Sequence, residues 1–364
     1  MCYIRALTCF LSPKDWSKEK LKQYLESRCS KLREILDKLL SMYDGLELWT
    51  FRVALPYTPN NVNIKDVAEV AEDVAESCQI DFISAIHLKG NEFNSKVVEI
   101  IEALENYEKV FASIKVNSAS EAQKVAEVYN KVEGFIGAKV AIHVGSEFIT
   151  PYFPLAKTIA SIEGASLTPF IVDELKEAIK NRNYHSIVET FQLSEKFGKD
   201  YSKEIGIEYF GIDPSPSPWV DASIAEVIEI ASNTYFGDYG THWGIKKVMD
   251  IVNKAVYEAK VKVTGFNEIM LPIAEDNLLK VRAVEERYTI RDLMSYISVC
   301  VAGLDMVPVV KPLKYGAIAR LIMDLEALSA AKKKPLGLRL IPIQAEPGSI
   351  IEIKMFGRLP ALEL

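Results

Sequence analysis

Tyr3-Ile4-Arg5-Ala6-Leu7-Thr8-Cys9-Phe10 runs into Leu11-Ser12-Pro13 and then into a long amphipathic segment, and this strand-then-helix pairing sets the fold. The first eight residues read as a buried strand. Ser12 is a natural N-cap and Pro13 suits a first helical turn. From there to about residue 42, Leu25, Cys29, Leu32, Leu36 and Leu39 fall on one helical stripe. The alternation then repeats: strand 46–55 ended by Pro56 and Pro59, helix 63–77, strand 80–88, helix 94–105, strand 109–116, helix 118–132, strand 138–144. Such a series predicts stacked βαβ units on a parallel sheet.

Residues 150–205 read as mostly helical. A strand at 207–213 follows, then helices 221–232 and 243–259, and short strands near 261–264 and 268–271. Helices 275–286 and 290–300 precede a strand at 306–310. The helix at 315–334 carries Ile318, Leu321, Ile322, Leu325 and Leu328 at helical spacing. Strands at 336–343 and 349–354 complete the reading. No linker or short-period repeat interrupts the 364 residues. The expectation is one α/β domain with halves 1–205 and 206–364.

Composition narrows the function. Apolar residues make up 49% and charged residues 26%, as in a soluble globular protein. The net charge of −7 argues against a nucleic-acid partner, since neutralising phosphates needs a basic face. No apolar run is long enough for a membrane span, and the first residues lack a signal-peptide layout, so a cytoplasmic location is expected. Five cysteines without a C-x-x-C pair are neither a disulfide framework nor a zinc signature. Scarce Gln beside abundant Lys, Glu, Ile and Val hints at a thermophilic source.

Strand alternation places candidate ligand groups. In strand 46–55, Trp49, Phe51, Val53 and Leu55 share an apolar face, leaving Thr50 and Arg52 on the other. Arg5 shares a face with Leu7 and Cys9. If the two strands are neighbours, Arg5 and Arg52 meet on an inner face and need an anion, from a ligand or from the protein. His87 and His143 read more readily as satisfied core or rim residues.

Polar residues are densest between Phe210 and Asp276, in F-G-I-D-P-S-P-S-P-W, Y-G-T-H-W-G and N-E-I-M-L-P-I-A-E-D. Asp213 ends a strand, where α/β folds place ligands. The Pro-Ser alternation after it makes a stiff loop presenting Ser215 and Ser217. Thr241 and His242 open a helix, as do Glu275 and Asp276, so each is either a cap or an anion-facing group. Asn267 and Glu268 have no such local role. Cys300 and Asp305 flank a helix C-cap at Gly303. A nucleophilic Cys300 would need a base such as His242. No Rossmann, Walker, nucleophile-elbow or zincin motif is present.

Several blocks resemble one family: I-R-A-L-T at 4–8, W-T-F-R-V-A at 49–54, F-G-I-D at 210–213, G-T-H-W-G at 240–244, L-P-I-A-E-D at 271–276, C-V-A-G-L-D-M-V at 300–307, L-R-L-I-P-I at 338–343 and F-G-R-L-P at 356–360. They are similar, in order and spacing, to the family called domain of unknown function 711. The resemblance implies a ten-stranded α/β barrel like that of pyruvate formate-lyase and other glycyl radical enzymes. Two five-stranded parallel halves would close antiparallel around a finger loop, with helices outside. A C-terminal glycyl radical loop and an adjacent cysteine pair are missing, so no glycyl radical is expected.

The sequence thus points to a small-molecule enzyme that works by acid–base chemistry on an anionic substrate inside the barrel. Arg5, Arg52, Ser215, Thr241, Asn267 and Asp305 are the candidate ligand-binding residues. Asp213, His242, Glu268, Asp276 and Cys300 are the candidate catalytic ones. No tightly held metal is expected, the cofactor is unspecified, and a homo-oligomer is left open. The alternative is a ligand-binding or regulatory protein on a catalytically inactive barrel.

Overall fold

Strand β1 (Cys2–Phe10) is the hub of a mixed ten-stranded sheet in this computed structural model, which describes residues 2–89, 93–129, 131–313, 316–353 and 356–364. The other strands are β2 (Leu46–Leu48), β3 (Phe51–Ala54), β4 (Phe82–Lys89), β5 (Val110–Lys115), β6 (Val140–Val144), β7 (Gly164–Phe170), β8 (Glu208–Ile212), β9 (Gly303–Val310) and β10 (Leu336–Ile343). Their order is β8-β7-β1-β3-β4-β5-β6-β10-β9, with β2 also on β1. β1, β3, β4, β5 and β6 are parallel neighbours, as the βαβ reading requires.

The strands after β6 depart from the expected second five-stranded parallel unit. They form two parallel pairs, β7/β8 and β9/β10, joined antiparallel to β1 and β6, and β7 comes from the first half of the chain. The segments expected as strands near 261–264 and 268–271 make only isolated bridges, Ile212 to Val263, Ile269 to Val301 and Pro272 to Asp305. No continuous ladder closes the sheet among the described residues. Gly303 lets β9 and β10 approach closely: at φ 137° its added Cβ would lie 2.0 Å from the Gly337 carbonyl oxygen.

β7 falls in the segment whose sequence reads as helical. Its Gly-Ala-Ser-Leu-Thr-Pro-Phe carries small residues and a proline, so it has neither period, yet every residue is buried. Pro169 is tolerated because it lies where the pairing slips. Between Ile4 and Ala6 the register of β1 against β7 shifts, so Arg5 and Ala6 together face Thr168. This bulge changes the parity of β1. Ile4, Leu7 and Cys9 pack outward under the helices, while Arg5 turns inward instead of sharing their face. The strand expected at 46–55 breaks at the same level, at Trp49-Thr50. The Thr50 hydroxyl donates to the Arg5 carbonyl oxygen at 2.8 Å.

Helices cover the outer face. The first, α1 (Lys18–Leu40), buries Leu21, Leu25, Cys29, Leu32, Leu36 and Leu39, the expected stripe extended by one turn. It starts after Ser17 rather than at Ser12. Asp15 accepts from both the backbone N and the hydroxyl of Ser17, which holds residues 12–16 in an open turn. A small antiparallel hairpin, β11 (Ile350–Ile353) with β12 (Gly357–Pro360), closes the described chain. The expected helix start at Tyr315 and strand end at Lys354 lie outside the described residues.

Two further helices share one carboxylate. Ile224–Ser232 and Asn277–Val284 begin side by side, and Asp276 lies fully buried between their ends. One of its oxygens accepts from Leu278 and Leu279 N–H, the other from Ile224 and Ala225 N–H. Each helix start leaves orphan N–H donors that a side chain must satisfy. Asp276→Ala is expected to cost about 1–4 kcal/mol in urea denaturation, two cap losses together. Asp276→Asn, which keeps one acceptor oxygen, should cost less. Equal stability of the alanine variant and the parent would refute the double-cap role.

Candidate functional site

The inner faces of the sheet curl about a cavity of about 730 Å3. Arg5 from β1, Arg52 from β3, Phe82 from β4, Phe111 from β5, Asp305 from β9 and Arg339 from β10 all line it. The chain between β8 and the helix at Asn277 supplies Ser217, Trp219, Met270, Pro272 and Glu275. A second, much smaller apolar chamber shares Tyr152, Phe153, Met270, Asp305 and Arg339 with it and reaches inward to Phe266 and Gly337.

Five charges dominate the interior, and four of them form a chain. Arg5 donates to Glu275 at 2.6 Å and to the Pro218 carbonyl at 2.6 Å. The other oxygen of Glu275 lies 3.7 Å from Arg339. Arg339 grips Asp305 with two bonds, 2.5 and 2.9 Å. Arg52 stands apart: its Nε donates to the Thr50 hydroxyl at 2.8 Å, and its guanidinium lies 5.3 and 5.7 Å from the ring centres of Phe153 and Phe82. Among the described residues no carboxylate comes within ion-pair distance of Arg52. Burial, together with the Arg5 charge, pushes its pKa down to about 10.

The stretch from Asp213 to Asn267 builds the interior loop rather than lining the cavity with free acids. Asp213 is fully buried and accepts from Ser215 N, Ser215 Oγ, Phe266 N and Asn267 N between 2.6 and 3.2 Å. Burial raises its pKa and these donors oppose that. Gly265 is obligatory beside it, since an added Cβ would lie 1.8 Å from an Asp213 oxygen at φ +80°. Ser215 Oγ in turn accepts from Glu268 N, and Asn267 donates to the carbonyls of Thr264 and Gly265. The Glu268 carboxylate is held by Lys332 at 2.8 Å and Lys334 at 3.4 Å.

The remaining candidates are elsewhere. Thr241 bonds Gly237 N and the Asp238 carbonyl, closing the turn before its helix (Thr241–Ala259). His242 is exposed, 3.1 Å from the Ser295 hydroxyl and edge-on to Tyr296. Cys300 is half-buried with its pKa raised by burial and by the Glu268 charge. Of the eleven sequence candidates, the cavity brings together Arg5, Arg52 and Asp305. Glu275, Arg339 and the aromatic walls are absent from those candidates. Arg339, alternating between Leu338 and Leu340, carries the same strand signal as Arg52. Among the described residues no three His, Cys, Asp or Glu side chains are placed to hold a metal ion.

A model of the family described as Uncharacterised ACR (DUF711) matches residues 1–354. The chain belongs to the DUF711 family. It is similar to proteins named UPF0210. One from Pyrobaculum islandicum is 24% identical over 381 residues, covering 94% of this chain and 84% of the relative. One from Sulfurisphaera tokodaii is 27% identical over 379 residues, covering 95% and 84%. One from Lactococcus lactis subsp. cremoris is 24% identical over 402 residues, covering 99% and 89%. Relatives from thermophilic archaea agree with the composition. Among the described residues no helix is long and apolar enough to cross a membrane.

In this DUF711 member a second polar centre lies at the carboxyl ends of β4, β5 and β6. Lys157, 1% exposed, pairs with Glu147 at 3.0 Å and donates toward His143 Nδ1 at 3.3 Å. Glu147 also accepts from Lys115 and Tyr57. His143 Nε2 faces the Ser146 carbonyl, while His87 sits between the Ser113 hydroxyl and the Ser84 carbonyl. Both histidines are fully buried. Burial and the Lys157 charge push each from 6.5 to about 3.

Below pH 6.5 the unfolded chain takes up protons at His87 and His143 that the folded one refuses until about pH 3. Stability is therefore complete above 6.5 and falls as pH drops, by about 1.4 kcal/mol per pH unit for each histidine. Urea denaturation at pH 6 and pH 4.5 should show this slope, and His87→Gln with His143→Gln should flatten it. An unchanged slope in the double variant would assign the acid sensitivity elsewhere.

Proposed function

We propose that the protein binds a small anionic molecule in the interior cavity and acts on it by acid–base chemistry. The carrying observation is Arg52, a guanidinium on the cavity wall with no carboxylate partner among the described residues. Arg52 is half-buried, and a charge partly withdrawn from water against an aromatic wall favours an opposite charge beside it. The other two interior arginines have protein partners, so a ligand anion is the natural counter-ion for Arg52. Glu275 and Asp305 are the carboxylates on the same wall, and Glu275 is the better proton carrier because only one of its oxygens is tightly bonded. The curled sheet, spanned by the bridges at Val263, Ile269 and Pro272, is read as a barrel-like enclosure around this site.

A second reading, a ligand-binding protein without turnover, has one observation in its favour. Among the described residues no histidine lines the cavity, and its two inner carboxylates, Glu275 and Asp305, are engaged by arginines. Glu275→Gln separates the two: binding kept with turnover lost supports catalysis.

Arg52→Met is expected to abolish thermal stabilisation by acetate, benzoate and inorganic phosphate while the protein stays folded by circular dichroism. Loss of about 3–5 kcal/mol of stability with the ligand response intact would make Arg52 a strut and end the binding-site reading.

A further inference from the structure

We infer that the cavity is a site for a monoanionic carboxylate carrying a flat apolar body, an aryl or arylalkyl carboxylate, with the carboxylate on Arg52 and the body along the aromatic wall. This rests on the reading that the cavity binds an anion, and it specifies which. Three features carry it: the count of charges, the shape of the grip and the make-up of the wall.

The inner charges are Arg5, Arg52 and Arg339 against Glu275 and Asp305, a surplus of one positive charge. Asp81, Glu108 and Lys109 line the outer part, a surplus of one negative. One unit of anionic charge neutralises the interior. A second would lie unpaired near Glu275 and Asp305, with Asp81 and Glu108 also on the lining, so dianions are disfavoured.

The Arg52 guanidinium is turned by its Nε bond to Thr50, which leaves its two terminal nitrogens for the ligand. A carboxylate meets such a pair of donors side by side, in the guanidinium plane. Phe82 and Phe153 stand at 5.7 and 5.3 Å from this group. A planar carboxylate continues the flat layer that they border, whereas a tetrahedral phosphate projects oxygens out of it.

Beyond Arg52 the wall is aromatic. Phe82 stacks edge-on against Phe111, and Phe111 against Phe153, with ring centres 5.3 and 5.7 Å apart. Trp219 also lines the cavity, under Arg5 at 5.4 Å. A cavity of about 730 Å3 with one anion anchor and such a wall holds far more than acetate.

The test is isothermal titration of the full chain with 3-phenylpropionate, acetate, malonate, inorganic phosphate and the neutral 3-phenylpropionamide. Phenylpropionate is expected to bind about tenfold or more tighter than acetate, the contribution of burying its ring. It should also exceed malonate, phosphate and the amide. Arg52→Lys should weaken phenylpropionate and acetate together. Phe153→Leu should weaken phenylpropionate alone, and it keeps the ligand class testable if Arg52 variants fold poorly. Tighter binding of malonate or phosphate overturns the ligand class and leaves the anion reading standing. Equal binding of the amide, or no binding by any of the four anions, overturns both.

Discussion

The interior depends on the pairing of charges taken out of water. Arg5, Glu275, Arg339 and Asp305 alternate in sign across the cavity and come from β1, from the turn before the Asn277 helix, from β10 and from β9. Strands near opposite ends of the sheet order are thereby held to one another without a backbone ladder between them. Removing one member would strand its neighbours, so the chain constrains how far the sheet can open. Arg52 lies outside this network, which is why the proposed anion site is centred on it.

Two irregularities at one level of the sheet prepare both arginines. The bulge at Arg5 redirects its side chain and frees its carbonyl, and the break between β2 and β3 brings Thr50 opposite. The Thr50 hydroxyl then donates to Arg5 and accepts from Arg52. The Asp213 carboxylate plays the matching part on the other side, tying the Pro-Ser segment to the turn at Gly265–Asn267. Both devices are local departures from regular strand geometry at the edge of the cavity.

The βα series is legible because each strand and helix from β1 to β6 has a clear period and its own punctuation. β7 is not, since Gly164, Ser166 and Pro169 remove the strand signal while neighbours on both sides bury it. Alternation places Arg52 correctly on its own. For Arg5 alternation alone points outward with Leu7 and Cys9, and only the bulge, which depends on β7, turns it in. Glu268 stands out as a polar residue without a local explanation, while Asp213 and Asp276 have local partners in Ser215, Leu278 and Leu279 that reach only one of their two oxygens. The remaining partners of these acids are backbone N–H groups and lysines about 50 or more positions away, which a chain read in order cannot supply.

The cavity lies at the amino ends of β3, β4 and β5, where Thr50, Asp81, Glu108 and Lys109 sit in the short turns that enter these strands. In most parallel α/β proteins ligands meet the loops that leave the strands, and such loops can lengthen freely. Here the leaving ends of β4, β5 and β6 are sealed by the Lys157, Glu147 and His143 centre. Diversification of this site would therefore proceed by exchanging one wall side chain for another on fixed strands, with insertions after the strands leaving ligand choice untouched.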